Sequence, residues 1–303
     1  DYAVGQCKAN RGDIIYVRPT HTTTVAAADT VDIDVAGVSI IGLGNGSNMP
    51  RFDYTAAAGE IAIGADNVLI ENINFHANVT DVLIASDIED GVDFATIRGC
   101  LFDTETTGTD EFAESIRVTN NNTGVLIENN YFDMGLGGAV SAIHLDADTD
   151  NMVIRNNTIH GDYSTANIVG DTTLSTNLII DNNILMNGDS GNLGTEPVIE
   201  VLTGTTGIVR NNTMVANVAT PDLAVVADTM VLTGNKYTET VAGADEDLYT
   251  TKQPDSANNF IGVDDSNNVA STTNVASNRD GSILERLEAI YASQVDDVAE
   301  NPI

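Results

Sequence analysis

A nine-residue segment recurs along this chain at a nearly constant interval, and that recurrence limits the possible folds more than any other feature. It is clearest at 67–75 (NVLIENINF) and returns at 124–132 (GVLIENNYF), 151–159 (NMVIRNNTI), 177–185 (NLIIDNNIL) and 206–214 (TGIVRNNTM). Looser copies lie at 94–102 (FATIRGCLF) and 230–237 (MVLTGNKY), with an earlier one at 39–43. Taking Ile41, Ile70, Ile97, Ile127, Ile154, Ile180, Val209 and Leu232 as the central apolar residues gives intervals of 29, 27, 30, 27, 26, 29 and 23. A fixed period in this range signals a solenoid, in which each repeat buries its apolar face only against its neighbours.

The composition says which solenoid. Short alternating segments precede most anchors, at 60–63, 81–84, 115–118, 142–145, 198–201 and 223–226. Apolar residues alternating with others mark half-buried strands, and Gly, Asn, Asp and Thr turns separate them. No segment of helical period lies between them. Ile and Val stand where a leucine-rich repeat requires Leu. Aromatic residues are 5% of the chain and Trp is absent, so small and β-branched side chains must fill the interior. The expectation is an all-β, right-handed parallel β-helix of about eight coils, with strands about 4.8 Å apart, in a column on the order of 40 Å long.

The opening segment at 12–20 (GDIIYVRPT) resembles the first strand of pectin-lyase-like β-helix proteins. That resemblance covers residues 12–237 and implies the fold. The overall look is similar to phage-associated β-helix proteins. Three segments are expected: the β-helix over 1–237, an irregular acidic cap or arm over 238–280, and a helix over 281–303. In the last, Ser282 and Glu285 form a capping box. An apolar stripe of Ile283, Leu284, Leu287, Ile290, Tyr291, Val295 and Val298 needs a partner, either the solenoid or copies of itself in a trimeric coiled coil.

Alternation along the repeat strand assigns its faces. One outward position reads Glu71, Arg98, Glu128, Arg155, Asp181 and Arg210, a charge ladder whose sign changes at every step. The other reads Leu69, Thr96, Leu126, Val153, Ile179, Ile208 and Val231, an apolar stripe suited to oligomer contact. Asn72, Asn129, Asn156, Asn182 and Asn211 share one position, interrupted by Gly99 and Gly234. Alternation from the anchors points these asparagines inward, as an amide ladder.

Chemistry is sparser. A net charge of −33, from 45 acids against 12 bases, excludes nucleic acid as a partner. No apolar run is long enough to span a membrane. Cys7 and Cys100 form neither a disulfide framework nor a zinc pattern, and Cys100 reads as a buried small residue. Polysaccharide lyases of the resembled group imply Ca²⁺-binding acids with an Arg or Lys base. The three lysines here, Lys8, Lys236 and Lys252, lie outside the central coils.

One column, His76, Asp103, Asp133 and His160, combines two carboxylates able to share a proton with two imidazoles able to help hold a metal. Against that stands a plain polar turn position, continued by Met186 and Val215. The run at 146–151 (DADTDN) is similar to the start of an EF-hand loop, but Asn151 and Asn157 stand where Gly and Glu are required. No catalytic residue, cofactor or metal is assigned, with a weak Ca²⁺ turn as the exception. His144 alternates with Ile143 and Leu145 and should face outward.

The expected function is a non-enzymatic, trimeric virion surface protein: a capsid decoration, head fibre or tail-spike-like protein. Its partners would be itself, other virion proteins and a host-surface glycan. A polysaccharide lyase or hydrolase and a secreted, extracellular adhesin are the alternatives.

Overall fold

The computed structural model describes residues 2–104, 110–170, 172–188, 196–216, 225–227, 229–239 and 248–252. The fold is an all-β parallel solenoid whose coils pass through three legs. First-leg strands are Ile14–Val17, Ser39–Gly42, Leu69–Glu71, Thr96–Arg98, Leu126–Glu128, Val153–Arg155, Leu178–Asp181, Gly207–Arg210 and the start of Val231–Glu239. Second-leg strands are Thr22–Val25, Arg51–Tyr54, Asn74–Ala77, Leu101–Thr104, Tyr131–Ala139, Thr158–Tyr163, Ile184–Asn187, Thr213–Ala216 and the end of Val231–Glu239. Third-leg strands are Val31–Ile33, Ile61–Ile63, Val82–Ile88, Phe112–Val118, Ser141–Leu145, Ile168–Gly170, Ile199–Val201 and Val225–Val226. Every strand of these three legs pairs in parallel with its counterpart one coil away.

The register follows the repeat. Ile70, Ile97, Ile127, Ile154, Ile180, Val209 and Leu232 are consecutive partners on the inner side of the first leg, all buried. The earliest anchor differs from the sequence expectation. Ile40, not Ile41, pairs with Ile70, and Ile41 lies opposite Glu71 on the outer side. The corner after Ser39–Gly42 is lengthened by a 3-10 turn at Gly46–Asn48, which hides the alignment. Gly42 is required there, because a Cβ would come within 1.9 Å of the Asn72 carbonyl oxygen. Inside the second leg, aromatic rings stack from coil to coil. Phe75, Phe102 and Phe132 lie parallel at centroid separations of 4.5 and 4.6 Å, and Phe52 meets Phe75 edge-on at 5.7 Å.

The asparagine ladder exists one residue later than alternation predicted. Asn72, Asn129, Asn156, Asn182 and Asn211 have φ of 55–57° and sit on the outer corner, four of them exposed and Asn72 half-buried. Gly99 and Gly234 take the same left-handed conformation in that column, which glycine tolerates best and asparagine next. The left-handed residue turns the chain, so the following residue points inward. The buried ladder is therefore Asn130, Asn157, Asn183, Asn212 and Asn235. Each of the first four donates both its backbone N–H and its Nδ2 to the Oδ1 of the next. Each Nδ2 also donates to an anchor carbonyl, as Asn157 does to Ile127 at 3.0 Å. Cys100 occupies the foot of this column, its N–H donating to Asn130 Oδ1. Burial pushes its thiol up to about 12, consistent with an inert packing role.

At the far end Leu248–Lys252 lies antiparallel along Val231–Glu239, so part of the expected irregular arm is a strand. The expected helix over 281–303, with its coiled-coil reading, lies outside the described residues. No helix among the described residues is long and apolar enough to cross a membrane.

Candidate functional site

Three outer faces present the residues that could carry function. On the first leg the charge ladder forms ion pairs in every second gap between coils. Arg98 donates to Glu71, Arg155 to Glu128 and Arg210 to Asp181, each at 2.8 Å between terminal nitrogen and carboxylate. The Arg210 and Asn211 bonds hold the Asp181 carboxyl below its ordinary range against the opposing effect of burial. Beside the ladder runs the apolar stripe, half-buried from Ser39 onward and exposed at Ile14. Its register is Ile14, Ser39, Leu69, Thr96, Leu126, Val153, Ile179, Ile208 and Val231.

On the second leg the polar column is continuous in register: Asp53, His76, Asp103, Asp133, His160, then Met186 and Val215. Each central carboxylate is matched to its own imidazole. His76 Nδ1 lies 2.7 Å from Asp103 Oδ1, and His160 Nδ1 lies 3.1 Å from Asp133 Oδ1. Asn74 adds a bond to Asp103, and Arg51 pairs with Asp53. This arrangement divides the column into two separate pairs. Among the described residues no three His, Cys, Asp or Glu side chains converge as metal ligands. In the turn at 146–151, Asp148 accepts the Asn121 N–H and Asp150 accepts the Thr176 hydroxyl, so both serve contacts between coils.

The third leg carries a network that reading the motifs did not find. Arg117 grips Asp87 with Nε and a terminal nitrogen, at 3.1 and 2.6 Å. Glu60 shares a hydrogen bond with Asp87, and its carboxyl is raised to about 7, first by burial and then by the Asp87 charge. Beyond Arg117, His144 Nδ1 lies 2.7 Å from Glu114 Oε1. The Asp87 end borders an open recess of about 360 Å³ lined by Asp87, Glu89, Asp90 and Thr119. Burial and neighbouring acids raise Glu89 too. His144 does alternate outward, but its side chain is only 15% exposed. A signal for this network was present. Asp87, Arg117 and His144 are 30 and 27 apart, the same steps that separate Ile97, Ile127 and Ile154.

No protein-family model and no curated protein matches the chain. Among solved structures it is similar to the tailspike protein of E. coli bacteriophage HK620. A double mutant of that protein aligns with TM-score 0.36 and 12% identity over 78% of this chain and 53% of the other. A single mutant in complex with a pentasaccharide gives 0.35 and 13% over the same shares. This chain thus spans about half the length of those tailspike chains.

Proposed function

We propose that this protein is a structural component of a virion surface, a spike- or fibre-like column assembled as a homotrimer. The observation that supports this reading best is the outer first leg. Seven of its nine stripe positions are apolar, in unbroken register along the column, beside a ladder whose charges are already paired. Contiguous apolar surface of this kind marks a contact between proteins. Three copies meeting along it would cover the stripe, leaving the second and third legs outward, toward other virion proteins or a host-surface glycan. Immunogold labelling of purified particles tests the placement: surface label at a fixed site supports it, and label confined to soluble protein contradicts it.

A second reading, cleavage of a polysaccharide, is favoured by the third-leg network. A carboxyl raised to about 7, hydrogen-bonded to a carboxylate that arginine holds, stays protonated as a general acid requires. The structural reading predicts no cleavage in a reducing-end screen of polysaccharides. Cleavage abolished by Glu60→Gln would establish the enzymatic reading instead.

A further inference from the structure

We infer that three imidazole–carboxylate pairs make the middle of the solenoid an acid-tightened clamp between successive coils. Counting coils by their first-leg anchors, His76–Asp103 joins the coils of Ile70 and Ile97. Glu114–His144 joins those of Ile97 and Ile127, and Asp133–His160 joins those of Ile127 and Ile154. Each of three consecutive interfaces thus has one pair, on the second, third and second legs in turn. Three of the four histidines in the chain are used this way. The fourth, His21, meets the Thr23 hydroxyl within its own coil.

The surroundings of each pair set the sign. His76 lies between Asp103 and Asp53, the latter paired with Arg51. His160 lies between Asp133 and Met186. His144 faces Glu114, with Val169 on the following coil and Arg117 on the preceding one, whose charge is engaged by Asp87. A neutral imidazole donates an ordinary hydrogen bond to a carboxylate. A protonated one forms an ion pair with it, adding coulombic attraction to that bond. Protonation also removes one unit of self-repulsion per histidine from a chain of net charge −33. Acid therefore strengthens the contact across each interface, in a pH range where imidazole changes charge. The clamp stands apart from the trimer proposal, because its pairs lie on the second and third legs.

The test is hydrogen exchange of the full chain at pH 6 and pH 8, corrected for intrinsic rates. It compares the wild type with a His76→Gln, His144→Gln, His160→Gln variant. A second variant, Glu60→Gln with Glu111→Gln, removes the other groups placed to titrate near neutrality. In the wild type, amides in the four clamped coils should gain about tenfold protection at pH 6 relative to pH 8. The first coil, which has no such pair, should gain less. The glutamate variant should lose only the carboxyl share of that difference, and adding the three histidine substitutions to it should remove most of what remains in the clamped coils. A histidine variant that retains the full gain overturns the proposal. Should the triple variant not fold, single variants replace it. Each should lose protection at its own interface, and unchanged protection in all three overturns the proposal equally.

Discussion

Asn130 gives both its backbone N–H and its side-chain Nδ2 to the Oδ1 of Asn157, at 3.0 and 3.1 Å. One buried oxygen thereby satisfies two donors of the preceding coil, and the same unit repeats up the column to Asn235. The ladder ties the height of each coil to the next, because a slipped coil would leave these buried groups without partners.

Asn157→Ala should therefore cost about 2–4 kcal/mol, since it strands the Asn130 N–H and the Ile127 carbonyl as well as removing a side chain. Asn156→Gly, one residue earlier on the exposed corner, should be nearly neutral, because glycine accepts the left-handed backbone. Urea unfolding of the two variants checks the contrast. Equal losses would mean that the ladder does not set stability.

Phe102 is fully buried between the parallel rings of Phe75 and Phe132. Phe102→Ala should lose about 3–5 kcal/mol, and Phe102→Leu considerably less. Both are measurable in the same unfolding experiment.

The first-leg ladder makes a weaker prediction. Arg155 is 47% exposed on its side chain, so its pair with Glu128 contributes only about 0.2–1 kcal/mol. Arg155→Glu nonetheless places three acids in sequence, with Glu128 and Asp181 on either side. That variant should melt lower than wild type at low salt and recover much of the difference at high salt, where exposed repulsion is screened.

Stability should fall as pH rises through neutrality, apart from any histidine effect. Glu60 and Glu111 are both raised to about 7, chiefly by burial. A carboxyl raised in the folded state favours folding while it is protonated. Its contribution is complete below its unfolded value near 4.5 and is lost as pH rises through about 7. Glu60→Gln with Glu111→Gln should flatten this part of the melting profile between about pH 5 and pH 8. An unchanged slope would show that neither carboxyl titrates there.

The fold was legible because Ile and Val recur at intervals that no helix uses, and the register of Ile70 through Leu232 follows that recurrence. Inward and outward assignments held in the first-leg strands from Leu69–Glu71 onward and failed at the corner. Strict alternation carried Asn72 inward, but its left-handed backbone turns the chain, and Ile73 is the buried residue. A separate one-residue error took Ile41 for Ile40 inside Ser39–Gly42, because the corner after that strand is lengthened. The third-leg network was missed for another reason, its only trace being the shared spacing of 30 and 27. Asp87, Arg117 and His144 belong to no local motif and meet only after the coils are stacked in register.

The central claim is that protomers meet along the first-leg stripe, and sedimentation of the native chain beside a Leu126→Asp, Ile179→Asp variant tests it most directly. Both side chains are half-buried on that face, flanked in register by Thr96, Val153 and Ile208. The account predicts a wild-type particle of about three times the monomer mass and a variant that is monomeric with an unchanged far-ultraviolet spectrum. A monomeric wild type, or a variant that keeps the wild-type mass, would contradict it.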